Sequence, residues 1–263
     1  MPEIIVTTSK AILSIDCDTL EQTVLHQGCG VYFGIAYNDD KLYVAARKDN
    51  SDSTNTAGEI LVFDKQIMLV DEIKPSHFDL LDLHQIIFWR GKLLCTVTGD
   101  DCIAIYDGES WDRWWPEDTS GDNKHYNSLL ATDDHLYLLA HNKGSDSYVL
   151  RFDDIHQKYN HRYPGMGSQS HDLWIDDDKL FVLSMIESAV VCEDHTRKVI
   201  GAGFTRGISK VGEFYYIGVS AVASRGNRPN TVGGLIVCDK RWDVVKRIVL
   251  GINGQVLDVK VRQ

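Results

Sequence analysis

His84 opens the segment HQIIFWRGKLLC and His171 opens HDLWIDDDKLFV, each just ahead of a short apolar strand. An imidazole entering a core is costly unless a polar group, water or a ligand meets it. Two matching histidines, with His125 close to a third such strand and Arg206 ahead of a fourth, supply a base and a fork of donors. That pairing suits an anion. Arginine binds carboxylate or phosphate through paired N–H groups, and a histidine takes a proton near neutral pH. In this reading His171 or His84 is the general base and Arg206 stabilises developing negative charge. Asn127, His125, Tyr32, Arg225 and Gln255 join Arg206 as ligand-binding residues. The alternative is a divalent metal on His84, His171, His141 and Glu187, with open positions for water. No tight HxH or HxxxH spacing supports it, so the metal stands second. The plainer reading is structural: histidines that bond to neighbouring strands, and an arginine that bonds to wall carbonyls. GxSxG, a P-loop, a dinucleotide fingerprint and HExxH are all absent, so no nucleophile is marked. Lyase, hydrolase and isomerase chemistry all fit, and catalysis itself stays open at this point.

These residues need a scaffold that brings distant segments together, and the chain repeats itself in a way that does so. GIAYNDDKLYVAAR, QIIFWRGKLLCTVT, SLLATDDHLYLLAH, DLWIDDDKLFVLSM and GISKVGEFYYIGVS each read as strand, acidic or glycine turn, strand. A third strand follows each, ending in an acid: Asp64, Asp107, Asp153, Glu193 and Asp239, with Asp16 closing the N-terminal AILSID. Successive acids lie 48, 43, 46, 40 and 46 residues apart. A period of about 45 residues built from short strands is the mark of propeller blades. More variable fourth strands close the units: QTVLHQ, IMLVDEI, SWDRWW, QKYNHRY, KVIGAGF and DVVKRIVL. Six third strands but five complete first strands leave one blade short, and GQVLDVKV at the C-terminal end supplies its inner strand. The expected fold is all-β: a single six-bladed β-propeller over 1–263, four antiparallel strands per blade. Its closing blade is shared by residues 2–27 and 252–263, which removes a free sheet edge.

In such a fold the inner strands line a central channel. Counting back from each first turn places Phe33, His84, Asn127, His171, Arg206 and Gln255 around its mouth, with His125 and Tyr32 beside them. The ends of the second strands add Arg47, His141, Glu187 and Arg225 to the same rim. SAVASRGNRPNTVGG (220–234) is a long polar insertion between the second and third strands of the fifth complete repeat. It reads as a binding loop or as mobile surface. Trp111, Trp114 and Trp115 form a sugar-stacking platform, a partner surface or, the reading preferred here, packing between blades.

Composition limits the partners. The 263 residues carry a net charge of −11, which disfavours nucleic acid and anionic lipid. No apolar run approaches the roughly 18 residues of a membrane span. Read from Met1, MPEIIVTTSK has neither a basic n-region nor an apolar h-region, so the cytoplasm is the expected location. Six cysteines form no CxxC pair, and most lie inside apolar strands and read as buried free thiols.

From GFTRGIS through YYIGVS, Arg225, GGLIVCD and VVKRIVL to VLDVKV (203–261), the chain resembles an uncharacterised bacterial propeller-like family of unknown function. That family carries GFTRG, a VGLS strand, an arginine and an LYDV-type strand. Gly203, Phe204, Thr205, Arg206, Gly207, Gly218, Ser220, Arg225 and Asp258 match it, over about a fifth of the chain; VLDV lacks the aromatic. The resemblance implies fold more than chemistry. More distantly, the architecture is similar to gluconolactonase- and strictosidine-synthase-like six-bladed propellers. Their central metal is often held by Glu, Asn and Asp. Here His, Asn127 and Arg stand in comparable places, so calcium-type chemistry is not carried over.

Two functions are therefore expected in order. The first is binding of, and action on, a small acidic or sugar-like molecule in a His/Arg-lined cavity. The second is a non-catalytic scaffold with a protein partner.

Overall fold

The computed structural model describes residues 2–48 and 56–263, the side chain of Arg225 excepted. Alternating apolar positions in the sequence become strands whose two faces serve two different neighbours. In Glu3–Thr8, Ile4 and Val6 pack with Tyr216, Leu235 and Val237 on one side, while Ile5 packs with Tyr32, Val44 and Leu61 on the other. In Lys92–Val97, Leu93 and Cys95 face one neighbour and Leu94 the other. Successive side chains of a strand point to opposite faces, so a blade with apolar residues on both must be sandwiched. Among the described residues, six sheets result, and six hydrophobic clusters fill the six spaces between them.

The first blade is built as expected, with the C-terminal strand Val256–Val261 innermost, then Glu3–Thr8, Ala11–Asp16 and Gln22–Gln27. Ile4 pairs with Val261 and Thr7 with Asp258, so the chain ends are knitted antiparallel. The other five blades run in chain order from inner to outer strand. Their inner strands are Val31–Asn38, Leu83–Trp89, Tyr126–Ala131, Ser170–Asp176 and Phe204–Val211. The second blade carries one addition, Leu80–Leu81 paired to Ala57–Phe63.

The acids that mark the repeat are turn residues. Asp16, Asp64, Asp107 and Asp239 each accept backbone N–H bonds two to four residues on, forming the turn between third and fourth strands. In the fifth blade Asp194, not Glu193, takes that role by accepting from Thr196. The tryptophans pack between blades. Trp114 is buried with Tyr126 and Phe152 of the fourth blade, and Trp111 and Trp115 lie against the interface of the second and third.

All six inner strands break register at the same place. The extra residues are Phe33–Gly34, His84–Gln85, Asn127, Asp172, Arg206–Gly207 and Leu257. A bulge frees a backbone N–H from the ladder and re-aims a side chain. Here the preceding blade captures that N–H. Gln85 Oε1 accepts from Leu129, Ser128 Oγ from Asp172, Asp172 Oδ2 from Gly207, and Asp258 Oδ2 from Ile35. Where the capturing residue would be Gly34 or Gly207, the next blade comes closer instead. A Cβ on Gly34 would sit 2.6 Å from Gln85 Cα, and one on Gly207 would sit 2.5 Å from Val259 N. The channel is therefore closed by a chain of contacts that hands each inner strand to the next.

Candidate functional site

The bulge places one residue of each inner strand at the channel: Phe33, His84, Asn127, His171, Arg206 and Leu257. Five match the ring expected from the sequence. The sixth does not. Leu257 stands where Gln255 was expected, because Leu257-Asp258-Val259 is the counterpart of His171-Asp172-Leu173 and the bulge falls on it. Gln255 is fully buried two residues earlier, and its backbone N–H is bonded to Ser9 Oγ and Arg228 O.

Above the ring lies a cavity of about 170 Å³ whose walls include Arg47, Asp82, His84, His125, His141 and Arg206. Cavities of roughly 150 Å³ admit a benzene-sized molecule, so this one suits a ligand of about six to ten heavy atoms. It narrows at Phe33, His84 and Arg206 to a neck of about 20 Å³ beside Gln85, Asp172 and Asp258, room for roughly one water.

The four histidines sit in a closed circuit, with ring centroids 5.3 Å apart for His84–His125, 4.7 Å for His125–His141, 5.5 Å for His141–His171 and 6.4 Å for His84–His171. Burial pushes His84 and His171 well below the usual imidazole range, reinforced by His125 and Arg206 at His84 and by Arg206 and His141 at His171. Burial, then His125 and Arg206, take His141 down to about 3. These three rings are neutral at neutral pH, so their tautomers decide what they can do.

The hydrogen-bond network fixes those tautomers. Asn127 Nδ2 donates to Ser170 O at 3.0 Å, and Ser128 Oγ donates to Asn127 Oδ1, so the amide group turned toward His171 Nδ1 is N–H₂. His171 Nδ1 therefore accepts, and its proton is on Nε2, which is buried without a hydrogen-bond partner among the described residues. His84 is the reverse. Its Nδ1–H donates to Asp82 O at 2.7 Å, leaving the lone pair on Nε2. His125 Nδ1 likewise faces Asp122 Oδ1 at 2.7 Å. His171, at the neck, is thus a donor at Nε2, while His84 holds an acceptor lone pair on Nε2.

Charge around the cavity is cationic. Among the described residues, Arg47, Lys143, Arg206 and Arg228 line it against one lining carboxylate, Asp82, which bonds to Arg47 at 2.6 Å, while Lys143 pairs with Asp122. Arg47 also lies over the Phe33 ring, 4.4 Å from its centroid, and an Arg206 Nη2 reaches Met185 Sδ at 3.7 Å. The insertion contributes Arg228 through a 3₁₀ turn, Arg225–Asn230, tied to the closing blade by Ser9 Oγ and Gln255 N donating to Arg228 O.

The remaining expected residues fall elsewhere. Tyr32 alternates away from Phe33, so its ring is buried between the first two blades and its hydroxyl accepts from Cys29 N. Glu187 turns outward to Ser184 Oγ and Arg197 Nε, so the proposed metal set of His84, His171, His141 and Glu187 is not assembled. The Arg225 side chain lies outside the described residues. Sequence reading missed Asp82, Gln169, Lys143 and Arg228. Asp82, His125 and Gln169 each precede a ring residue by two and share a left-handed backbone, with φ of 48°, 55° and 48°. That shared offset was the available signal.

No protein-family model matches the sequence, and no curated protein does. Among solved structures, the chain is similar to one in the crystal structure of a nidogen/laminin complex, with a TM-score of 0.72 and 11% identity, covering 100% of this chain and 98% of that one. At that identity the likeness shows the fold alone: a six-bladed β-propeller.

Proposed function

We propose that this protein binds a small carboxylate-bearing molecule of the sugar-acid kind at the channel mouth and acts on it. The observation that carries this reading is the cavity's charge: among the described residues, four cationic side chains line it against one lining carboxylate, with Asp122 paired to Lys143, on a chain of net charge −11. Arg206 and the His171 Nε2–H are the donors for the anion, since charge-assisted bonds in a water-poor site are strong and directional. The acceptor lone pair of His84 stands beside that anion seat. Between His84 and His171, the tautomers give the proton-accepting role to His84.

Calorimetry with a panel of short carboxylates and sugar acids tests this. A saturable 1:1 response to at least one of them, with none from neutral sugars of the same size, is expected. The second reading, a scaffold for a protein partner, is favoured by one observation: a solved chain with the same fold comes from a complex of two proteins. A protein that ignores the whole panel and captures one stoichiometric partner supports that reading instead.

A further inference from the structure

We infer that Asp82, His84 and His125 form a divalent transition-metal site at the edge of the anion seat. This deepens the proposed function and rests on it for the charge argument. One carboxylate oxygen of Asp82 and one ring nitrogen of each histidine lie within 4.8 Å of one another, and no other such trio of donors occurs among the described residues. Asp82 is 1% exposed. Its Oδ1 accepts from Arg47, but Oδ2 is buried with no hydrogen-bond donor among the described residues. A buried carboxylate oxygen is ordinarily bonded, so an orphan on a carboxylate grouped with two imidazoles points to a cation.

The histidines are held as metal-bound imidazoles are. Each donates its Nδ1–H to an oxygen, Asp82 O for His84 and Asp122 Oδ1 for His125, which fixes the tautomer and leaves Nε2 basic. Asp82 and His125 occupy equivalent positions of consecutive blades, and both keep a left-handed backbone. Two nitrogens and one oxygen suit zinc, iron, cobalt or manganese, and three protein ligands leave positions open for a substrate.

Arg47, Lys143, Arg206 and Arg228 line the same cavity and oppose a bare dication. An anion that reaches both the metal and Arg206 balances the charge. Metal and carboxylate must then bind cooperatively, each tightening the other by the same factor. The ligand class narrows to carboxylates with a neighbouring oxygen able to chelate.

The test is titration of EDTA-treated, dialysed protein with Co²⁺, followed by visible absorption and calorimetry, with and without D-gluconate. One Co²⁺ per chain is expected, tightened about tenfold or more by gluconate. His125→Gln and His84→Gln should each weaken Co²⁺ by about a hundredfold, with circular dichroism and melting confirming that both variants fold. Co²⁺ binding equal in wild type and both variants overturns the site. Gluconate binding to the metal-free protein without any cobalt signal also overturns it, yet leaves the anion reading standing. Co²⁺ binding that gluconate never affects overturns the coupling, and the anion reading falls with it only where gluconate and the rest of the acid panel also give no heat of binding.

Discussion

Asn127 Nδ2 donates to His171 Nδ1 across 3.0 Å, and that bond sets which nitrogen of His171 carries its proton. Asn127→Asp replaces the donor with an acceptor. His171 should then protonate Nδ1, moving its lone pair to Nε2 and turning an anion donor into an anion repeller. Carboxylate affinity should fall by about tenfold or more. Nitrogen-15 spectra of the labelled histidine should show the tautomer exchanged; an unchanged tautomer with unchanged affinity contradicts the assignment.

Gly34 tests the closure of the channel. Its missing Cβ lets Gln85 and Ile86 approach, and a methyl group there would meet Gln85 Cα at 2.6 Å and Ile86 N at 2.8 Å. Both are backbone atoms that cannot step aside alone. Gly34→Ala should cost about 1–3 kcal/mol in urea unfolding through this clash, while Gly91→Ala, at a site with open space, should cost about 1–2 kcal/mol through strain alone. Gly91 has φ of 74°, so its variant reports backbone strain without the clash.

Asp258 makes stability depend on pH in an unusual direction. Burial pushes its carboxyl up to about 7, although Lys260 at 3.8 Å opposes the rise. The folded state therefore holds this proton more tightly than the unfolded chain. Stability from this group is greatest below the ordinary carboxylate range, falls as pH rises from about 4 to about 7, and is level above that. Asn at this position does not titrate. The stability of wild type relative to Asp258→Asn should drop by on the order of a few kcal/mol between about pH 4 and pH 8. A difference that stays constant over that interval contradicts the raised value.

Removing residues 254–263 takes away the innermost strand of the first blade and bares Glu3–Thr8 as a sheet edge at the channel. It also deletes Asp258, which captures the Ile35 N–H of the next blade. The truncated chain should aggregate or express poorly rather than melt slightly lower. A soluble monomer with native circular dichroism would show that the ring closes without this strand.

Much of this architecture was legible because propeller blades are made of local signals. The acids from Asp16 to Asp239 recur because each third strand ends in a turn that needs a side-chain acceptor, and strand alternation follows from burial on both faces. The channel ring was legible for five blades and slipped at Gln255, since pattern counting cannot see a bulge that moves the channel position to Leu257. Tyr32 was misplaced for a related reason: neighbours in a strand face opposite ways, and only Phe33 turns inward. Asp82 was overlooked because its value lies in a left-handed backbone that sequence does not display. The direction of the His171 proton depends on Ser128, Asn127 and Ser170 acting together, which no spacing rule encodes.

The central claim is that the channel mouth holds an anion through Arg206. Calorimetry of wild type and Arg206→Gln with the best-bound sugar acid tests it most directly, after melting and circular dichroism show that the variant is folded. The buried guanidinium and the bound carboxylate are partly desolvated, so its loss should weaken binding by about 2–4 kcal/mol, roughly 30- to 1000-fold in Kd. A folded Arg206→Gln protein that binds the same acid as tightly as wild type would contradict the account.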